Sequence, residues 1–355
     1  MPTQLTLFPP DVARRRVLPV IGEQKDIAYY ETHARSVLND PRVTGMDGFW
    51  SINPYVGCAF GCAYCYARYA HRYMLERAVA ANPSHDRLRE AQATLPPWLA
   101  FERQIFVKRN APDVLRRTLR YGSDRHLELA RGHHVVIGTA TDPYQPAERR
   151  FRITRGLLEV LAQHEGLSVV IITKSPLVTR DVDVLARIAR HSELQVHVSL
   201  ITVDRELARR LEPRAPTPEA RLRAVARLHA AGIGVRVNVM PVLPGITDGR
   251  DQLDALVQAI ARAGADAFAP GSLALRATAR LRYLPFIERE FPHLAERYRR
   301  AYGRSYQLGE RYRTGLREYM RALGQRHGVP LARSDYRRTG VPQSSTDELQ
   351  LGIAL

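Results

Sequence analysis

Residues Asn53–Arg68 read NPYVGCAFGCAYCYAR and contain every cysteine of this 355-residue chain. These cysteines are Cys58, Cys62 and Cys65. A secreted disulfide framework would use an even number of cysteines spread through the chain, so three crowded thiols indicate metal ligands instead. They follow an apolar run at Trp50–Tyr55 that is typical of a buried strand. Gly57 and Gly61 suit a loop that wraps closely around a metal cluster, because glycine adopts backbone angles that other residues avoid.

The number of thiols limits the kinds of metal centre. Three thiolates can bind three irons of a [4Fe–4S] cluster, whereas a cluster held only by protein ligands normally uses four cysteines. Because the chain has no fourth cysteine, one iron would be left for a ligand from outside the protein, and such an open position implies chemistry. The alternative is a structural zinc site in which His71 supplies the fourth ligand after Cys65.

Short apolar runs alternate with longer amphipathic stretches through most of the chain. The candidates for buried strands are Trp50–Tyr55, His134–Thr139, Ser168–Thr173, Gln195–Leu200, Gly234–Met240 and Asp266–Ala269. The candidates for helices are Tyr66–Ala81, Ala111–Tyr121, Thr154–His164, Asp181–His191, Pro218–Ala231, Arg250–Ala263, Leu284–Tyr302 and Leu308–Gly324. Apolar strands without clean alternation are typical of a parallel sheet covered by helices. The pattern therefore predicts an α/β fold with right-handed crossovers, whose six strands form an incomplete TIM-like barrel followed by C-terminal helices.

The same pattern predicts four parts. Residues 1–45, punctuated by prolines, form an N-terminal extension, and residues 46–275 form the partial barrel. Residues 276–330 form a C-terminal helical region, and residues 331–355 a flexible tail. No run of eighteen apolar residues occurs, so we expect no membrane span, and the first sixteen residues lack the apolar core of a signal peptide. The chain is thus predicted to be cytoplasmic.

Several segments give this sequence a family resemblance. They are SINPYVGC at Ser51–Cys58, CYAR at Cys65–Arg68, FVKRNAP at Phe106–Pro112, TDPYQPAE at Thr141–Glu148 and LEPRAP at Leu211–Pro216. Together with the cysteine spacing after the first barrel strand, they resemble the spore photoproduct lyase-like, or DNA repair photolyase-type, branch of the radical S-adenosylmethionine (SAM) superfamily. The resemblance implies an enzyme in which the open iron of a [4Fe–4S] cluster chelates SAM. Reductive cleavage of SAM then gives a 5′-deoxyadenosyl radical.

Polar residues at the ends of the predicted strands suit the groups of SAM, since ligands of α/β barrels gather at that edge. Asp142 suits the ammonium or the ribose, Lys174 the carboxylate, and the hydroxyls of Ser199 and Thr202 the ribose or the carboxylate. The alternatives are a turn role for Asp142 and helix capping for the hydroxyls. In the family that the chain resembles, contacts with SAM are made at the positions that match Tyr64, Thr141, Asp142, Lys174 and Ser199.

The resemblance also bears on the reaction. Spore photoproduct lyase returns a hydrogen atom to its product through a cysteine near the end of the second barrel strand, and the matching residue here is Thr139. All three cysteines are already assigned to the cluster, so reversal of a thymine dimer by that route is disfavoured. Tyr64 and Tyr66 match tyrosines of the hydrogen relay, which makes Tyr66 the candidate catalytic residue. The alternative for Tyr66 is ordinary packing at the start of a helix.

The charge of the chain allows a nucleic-acid partner. Its 53 Lys and Arg against 36 Asp and Glu give a net charge of +17, and basic surfaces bind phosphates by releasing counterions. Only Lys25, Lys108 and Lys174 are lysines, and so strong a preference for arginine also follows from codon bias. DNA or RNA is therefore the first candidate substrate. The alternatives are radical SAM modification of a peptide, a tRNA or a small metabolite, and a non-catalytic metal-binding module on nucleic acid.

Two further partners are predicted. Gln4–Phe8, QLTLF, resembles the peptide by which bacterial repair and replication proteins dock on the sliding clamp through apolar side chains. The alternative is an N-terminal arm packed on its own domain. The family resemblance also implies an electron donor such as flavodoxin or ferredoxin.

Overall fold

Two β-sheets organise the computed structural model, which describes residues 20–24, 26–44, 48–70 and 95–332. The strands are β1 (Val20–Gln24), β2 (Ile27–Thr32), β3 (Leu38–Asn39), β4 (Phe49–Ile52), β5 (Tyr55–Val56), β6 (Gln104–Lys108), β7 (His134–Ile137), β8 (Ser168–Thr173), β9 (Glu193–Ser199), β10 (Gly234–Val242) and β11 (Ala267–Ser272). The N-terminal Gln4–Phe8 peptide, His71 and the tail from residue 333 lie outside the described residues.

The larger sheet has the strand order β11-β10-β9-β8-β7-β4-β3. Its strands from β4 to β11 pair in parallel, and β3 joins β4 in antiparallel register at the edge. All six predicted barrel strands are present, and the α/β partial barrel is confirmed. Since β3 and β11 stand at opposite ends of this order, the sheet is open, as six parallel strands rather than eight require.

The smaller sheet was not predicted. Its order is β1-β2-β6-β5, with β2 and β6 parallel. Strand β6 lies inside the long segment between the first two barrel strands, and four of its five residues are buried. It pairs with β5 through Tyr55 and Val56, immediately before the cysteine loop. This second sheet therefore fixes the point at which the loop leaves the barrel.

Helices follow most of the barrel strands. The α-helices are α1 (Pro41–Thr44), α2 (Pro97–Ala100), α3 (Ala111–Thr118), α4 (Asp124–Ala130), α5 (Pro146–Phe151), α6 (Ile153–Leu161), α7 (Val182–His191), α8 (Arg205–Leu211), α9 (Pro218–Ala230), α10 (Arg250–Arg262), α11 (Ala277–Glu290), α12 (Ala295–Tyr302) and α13 (Glu310–His327). Short 3-10 helices occupy Tyr66–Arg68, Pro176–Asp181 and Pro292–Leu294.

Two helical predictions need correction or limitation. The single helix predicted over Leu284–Tyr302 is divided into α11 and α12. Phe291 leaves the helical region with φ −137° and ψ 59°, because a residue that precedes proline, here Pro292, avoids the α conformation. The helix predicted over Tyr66–Ala81 begins as the 3-10 turn at Tyr66–Arg68, and its part after residue 70 lies outside the described residues.

The buried apolar residues form two clusters. The larger one fills the barrel between the sheet and its helices, with Val135 and Ile171 among its fully buried strand residues. The smaller one contains Cys58 and Cys62 and packs them with aromatic residues of α11 and α12 such as Tyr283. The C-terminal helices therefore form one wall of the cysteine loop. Among the described residues, no helix combines the length and the apolar character that crossing a membrane requires.

A buried carboxylate joins four segments of the chain. Glu148, in α5, is fully buried and accepts hydrogen bonds from the Tyr55 hydroxyl, the backbone amides of Thr154 and Arg155, and Arg180. Burial raises its pKa, and the donated hydrogen bonds oppose that rise. A buried carboxylate is stable only while all of its hydrogen-bond donors stay in place, so Glu148 and its four donor residues depend on one another.

We therefore expect Glu148→Ala to lower the free energy of unfolding of the apoprotein by about 3–5 kcal/mol, because it leaves the buried Tyr55 hydroxyl and two backbone amides without their acceptor and removes one of the two carboxylates that pair with Arg180. Urea denaturation followed by circular dichroism measures the change. Glu159→Ala is the matched control, since that carboxylate is 46% exposed and pairs with Arg155 at the surface; its expected cost is within about 1 kcal/mol. Equal losses in the two variants would contradict the structural role of Glu148.

Candidate active site

The cysteine loop begins where β5 ends and is held closely against the smaller sheet. The backbone amide of Cys58 donates to the carbonyl of Phe101 at 2.9 Å. Gly57 has φ +87°, and a Cβ there would stand 2.8 Å from the carbonyl oxygens of both Phe101 and Gln104. Only glycine combines that backbone angle with that close approach. The sequence-based expectation that glycines shape this loop is thus explained by a contact between two backbones.

Buried side chains from distant segments bind the backbone of the loop. Thr141 Oγ1 and Gln145 Nε2 donate to the carbonyl of Gly57 at 2.6 and 3.1 Å, and Gln145 Oε1 accepts from the amide of Ala59 at 2.9 Å. Gln145 is fully buried. Sequence reasoning quoted it within TDPYQPAE but assigned it no role. Gln145 lies in the segment that follows a barrel strand, and this position could have identified it as a site residue.

Two arginines complete the attachment of the loop. Arg214 Nε donates to the carbonyl of Ala59 at 2.6 Å, and Arg68 Nη2 donates to the carbonyl of Cys62 at 2.8 Å. Arg214 and Glu212 flank Pro213 but have different partners. Arg214 reaches the loop and the carboxylate of Glu102, whereas Glu212 pairs with other residues.

The three thiols are free and lie close enough to affect one another electrostatically. Burial raises the pKa of Cys58 to about 12, and the charges of Asp142 and Cys65 add to the rise. Burial also raises the pKa of Cys62, against the opposing effect of Lys174. Thiols in this setting become thiolates when a metal replaces their protons.

The donor set fits a cluster rather than a single ion. Within the described part of the chain, no three His, Cys, Asp or Glu side chains are placed to share one metal ion. A cubane cluster does not need such convergence, because each thiolate binds a different iron. The close glycine contacts and the three neighbouring thiols therefore fit a [4Fe–4S] cluster with one iron left open.

A buried group of charges lies beside the thiols. Glu212 is fully buried and accepts from the Tyr64 hydroxyl and from Arg221 Nη2, while Lys174 Nζ lies 3.8 Å from its carboxylate. Lys174 Nζ also lies 5.8 Å from the centre of the Tyr64 ring. Burial alone would lower the pKa of Lys174, but Cys62 and Glu212 raise it overall. The structure thus brings Tyr64 and Lys174 together at the loop.

Arg221 and Glu212 were not predicted as site residues. Arg221 is almost completely buried and donates from Nη1 to the carbonyl of Ser199 at 3.0 Å. It belongs to α9, whose sequence reads as an ordinary amphipathic helix. Its burial arises only when α9 packs beside the end of β9, which the local sequence does not reveal.

Some of the other residues predicted to contact SAM form hydrogen bonds within the protein. Asp142 Oδ1 accepts from Thr173 Oγ1 and from the amide of Tyr144, and Oδ2 accepts from the amide of Lys174 at 2.7 Å. Thr141 is bound to the loop as described above. Ser199 is buried at the end of β9, opposite Asn238 of β10. These contacts place all of the residues at the carboxyl edge of the parallel sheet, where barrel sites form.

The two aromatic residues that follow Cys65 differ from Tyr64 in being partly exposed. Tyr66 is 48% exposed and Tyr69 43% exposed. The hydroxyl of Tyr66 donates to the carbonyl of Thr139. The structure therefore brings the candidate relay tyrosine to the residue that replaces the hydrogen-returning cysteine.

A three-cysteine loop at the carboxyl edge of a parallel partial barrel defines an iron–sulfur enzyme. The family model described as the radical SAM superfamily matches residues 52–258, which is more than half of the chain. The protein belongs to the radical SAM superfamily. Its cofactors are a [4Fe–4S] cluster and SAM.

Relatives with similar sequences are themselves uncharacterised. A protein of Mycobacterium tuberculosis (strain ATCC 25618 / H37Rv) is 36% identical over 298 residues, which cover 84% of this chain and 80% of the relative. A protein of Methanocaldococcus jannaschii is 26% identical over 215 residues, covering 61% of this chain and 68% of the relative. A protein of Acidianus two-tailed virus is 29% identical over 221 residues, covering 61% of this chain and 64% of the relative.

Among solved structures, the fold is similar to that of spore photoproduct lyase. A mutant of that enzyme with bound AdoMet and dinucleoside spore photoproduct matches with a TM-score of 0.60 and 16% identity, covering 89% of this chain and 87% of that one. Spore photoproduct lyase complexed with dinucleoside spore photoproduct matches with a TM-score of 0.59 and 17% identity over the same shares. At this identity the likeness shows a common fold.

We expect Gly57→Ala to reduce the iron and sulfide content of anaerobically reconstituted protein at least several-fold, because the added Cβ would collide with two backbone carbonyls and move Cys58. Chemical iron and sulfide analysis measures the loss. Gly122→Ala is the control, since Gly122 also has a positive φ of +76° but has nothing within 4 Å of an added Cβ. A normal cluster content in Gly57→Ala would show that the close approach does not shape the site.

Proposed function

We propose that Cys58, Cys62 and Cys65 hold the cluster and that the enzyme acts on a nucleic acid. When bound, the cluster and SAM supply a 5′-deoxyadenosyl radical through reductive cleavage of SAM. The observation that carries the choice of substrate is a pair of half-exposed tyrosines, Tyr66 and Tyr69, next to the cysteine loop, with the charge of Arg276 acting on Tyr69. The fold shared with spore photoproduct lyase, which has been solved in complex with a dinucleoside spore photoproduct, supports the same choice.

The residues at the strand ends are suited to bind SAM next to the loop. The distance of 3.8 Å between Lys174 Nζ and Glu212 leaves ammonium protons available for the carboxylate of SAM. Glu212 is already bound by Tyr64 and Arg221, so it orients Lys174 rather than neutralising it completely. Asp142 accepts a hydrogen bond from the backbone amide of Lys174, which follows β8. Ser199 ends the neighbouring strand β9 at the same edge of the sheet.

Tyr66 is proposed as the catalytic residue. Its hydroxyl lies at Thr139, and its ring is exposed at the mouth of the barrel. A phenol can carry a radical, whereas the O–H bond of a threonine is too strong to donate a hydrogen atom in place of a thiol. Tyr66 is therefore placed to take over the final hydrogen transfer that a cysteine performs in spore photoproduct lyase.

The surface around Tyr66 and Tyr69 is suited to nucleotides. Helix α11 packs against the Tyr66–Arg68 turn, and exposed Arg276, just before α11, lies 4.8 Å over the ring of Tyr306. Bases stack on tyrosine and on arginine planes irrespective of their sequence, and arginine also neutralises phosphate. This surface suits a single-stranded or flipped-out nucleotide better than an intact duplex.

Reconstituted protein should form 5′-deoxyadenosine from SAM when dithionite is added without oxygen. Alanine replacement of Cys58, Cys62 or Cys65 should abolish this formation together with the cluster, because each thiolate holds a separate iron. Tyr66→Phe should keep 5′-deoxyadenosine formation but lose at least tenfold in conversion of ultraviolet-damaged DNA. Chromatography with mass spectrometry measures both products, and undamaged DNA and Tyr121→Phe, a residue 92% exposed, serve as controls. Persistent SAM cleavage in a cysteine variant would refute the assignment of the cluster ligands.

Nucleic-acid binding should weaken steeply as salt concentration rises, because phosphate contacts release counterions. Arg276→Gln should reduce the slope of log affinity against log salt by about one, measured by fluorescence anisotropy with a labelled single strand. Arg326 is an exposed arginine of α13 that pairs with Asp254. Arg326→Gln should leave the slope unchanged. A flat salt dependence of the wild-type protein would favour a peptide or small-metabolite substrate instead.

A further inference from the structure

Three arginines surround one carboxylate behind the cysteine loop. Arg68 Nη2 lies 2.8 Å from Glu102 Oε2, and Arg214 and Arg282 each bring an Nη2 atom to 4.0 Å from the same carboxylate. We call this group, Arg68, Glu102, Arg214 and Arg282, the arginine cage. Three guanidinium groups against one carboxylate leave an excess of two positive charges.

The cage touches the loop directly. A Cβ on Gly61, between the first two cysteines, would lie 2.7 Å from Arg214 Nη2 and 3.0 Å from Glu102 Oε2. Arg68 and Arg214 bind the loop carbonyls of Cys62 and Ala59, as described above. The excess positive charge therefore lies against the backbone of the loop that carries the three thiols.

Water reaches only part of the arginine cage. The side chains of Arg68 and Glu102 are 0% and 9% exposed, that of Arg282 is 18% exposed and that of Arg214 33% exposed. The Nε groups of Arg68 and Arg282 are buried and have no hydrogen-bond partner among the residues that the structure describes. Burying like charges in this way is unfavourable for folding unless another charge offsets them. Next to Cys62, Lys174 and Arg221 face Glu212, and Asp142 also interacts with Lys174, so two positive charges there meet two negative ones.

A [4Fe–4S] cluster bound by three thiolates is the anion that would offset the cage. We propose that the arginine cage sets the reduction potential of this cluster, its excess positive charge stabilising the added electron and the carboxylate of Glu102 opposing that effect. The step is the transfer of one electron from a low-potential donor, a reduced flavoprotein, a ferredoxin or dithionite, to the oxidised cluster. No covalent bond forms or breaks in it. The members of the cage are positioning residues, since they act on the cluster through its field.

This inference depends on the family cofactor and is independent of the nucleic-acid substrate. Opposite charge changes in one place should move the potential in opposite directions. Arg282→Gln should lower the potential and Glu102→Gln should raise it, each changing the ratio of reduced to oxidised cluster at least tenfold at a fixed potential, or about 59 mV for one electron. Arg214→Gln should act like Arg282→Gln, because glutamine keeps a donor for the carbonyl of Ala59.

The experiment is an anaerobic redox titration of the reconstituted protein without SAM, monitored by electron paramagnetic resonance, with iron content measured for each variant. Arg326→Gln, which removes an equal charge from an exposed position, should leave the potential unchanged. Arg68→Gln is avoided because its guanidinium also holds the loop at Cys62. Shifts of opposite sign in Arg282→Gln and Glu102→Gln support the proposal. Unchanged potentials, or shifts of the same sign, in the variants that retain full iron content overturn it, whatever the result with DNA.

Discussion

The fixed backbone of the cysteine loop is the constraint on which the rest of the site depends. A loop of nine residues exposes many amides and carbonyls, and a buried one must find partners for them. Gln145, Thr141, Arg68 and Arg214 provide those partners from separate parts of the chain. These hydrogen bonds join the loop that carries the three thiols to the parallel sheet and to the α8–α9 connection, and the loop also contacts the smaller sheet.

The sequence predicted the six parallel strands and the cysteine loop, because each of these is marked by a short run of neighbouring residues. Apolar runs located the six parallel strands, since strands covered by helices need no alternation. The cysteine spacing located the loop. Strand β6 was missed because its residues lie in a long segment with several possible conformations, and its partner β2 lies more than seventy positions earlier. The break at Phe291 had a visible signal in Pro292, which the helical pattern on both sides concealed.

The contacts of the site depended on information that the sequence does not carry. Glu212 and Arg214 flank one proline and have opposite charges, which allows either an ion pair between them or a place at the substrate mouth. In the structure Arg214 lies near Glu102, and Glu212 pairs with Arg221. Lys174 was predictable because a lysine at the end of an apolar strand is unusual. Arg221, one of fifty arginines, offered no such contrast.

The wall formed by α11 and α12 has a consequence for the order in which the molecule is made. Strands β4 to β11 and the thiols precede these helices in the chain, and Tyr283 and Tyr298 cover the loop only after them. The ribosome makes the chain from its N-terminus, so all three cysteines are synthesised more than two hundred residues before these helices. The burial of Cys58 and Cys62 is therefore complete only once the helices that are synthesised last have packed against the loop.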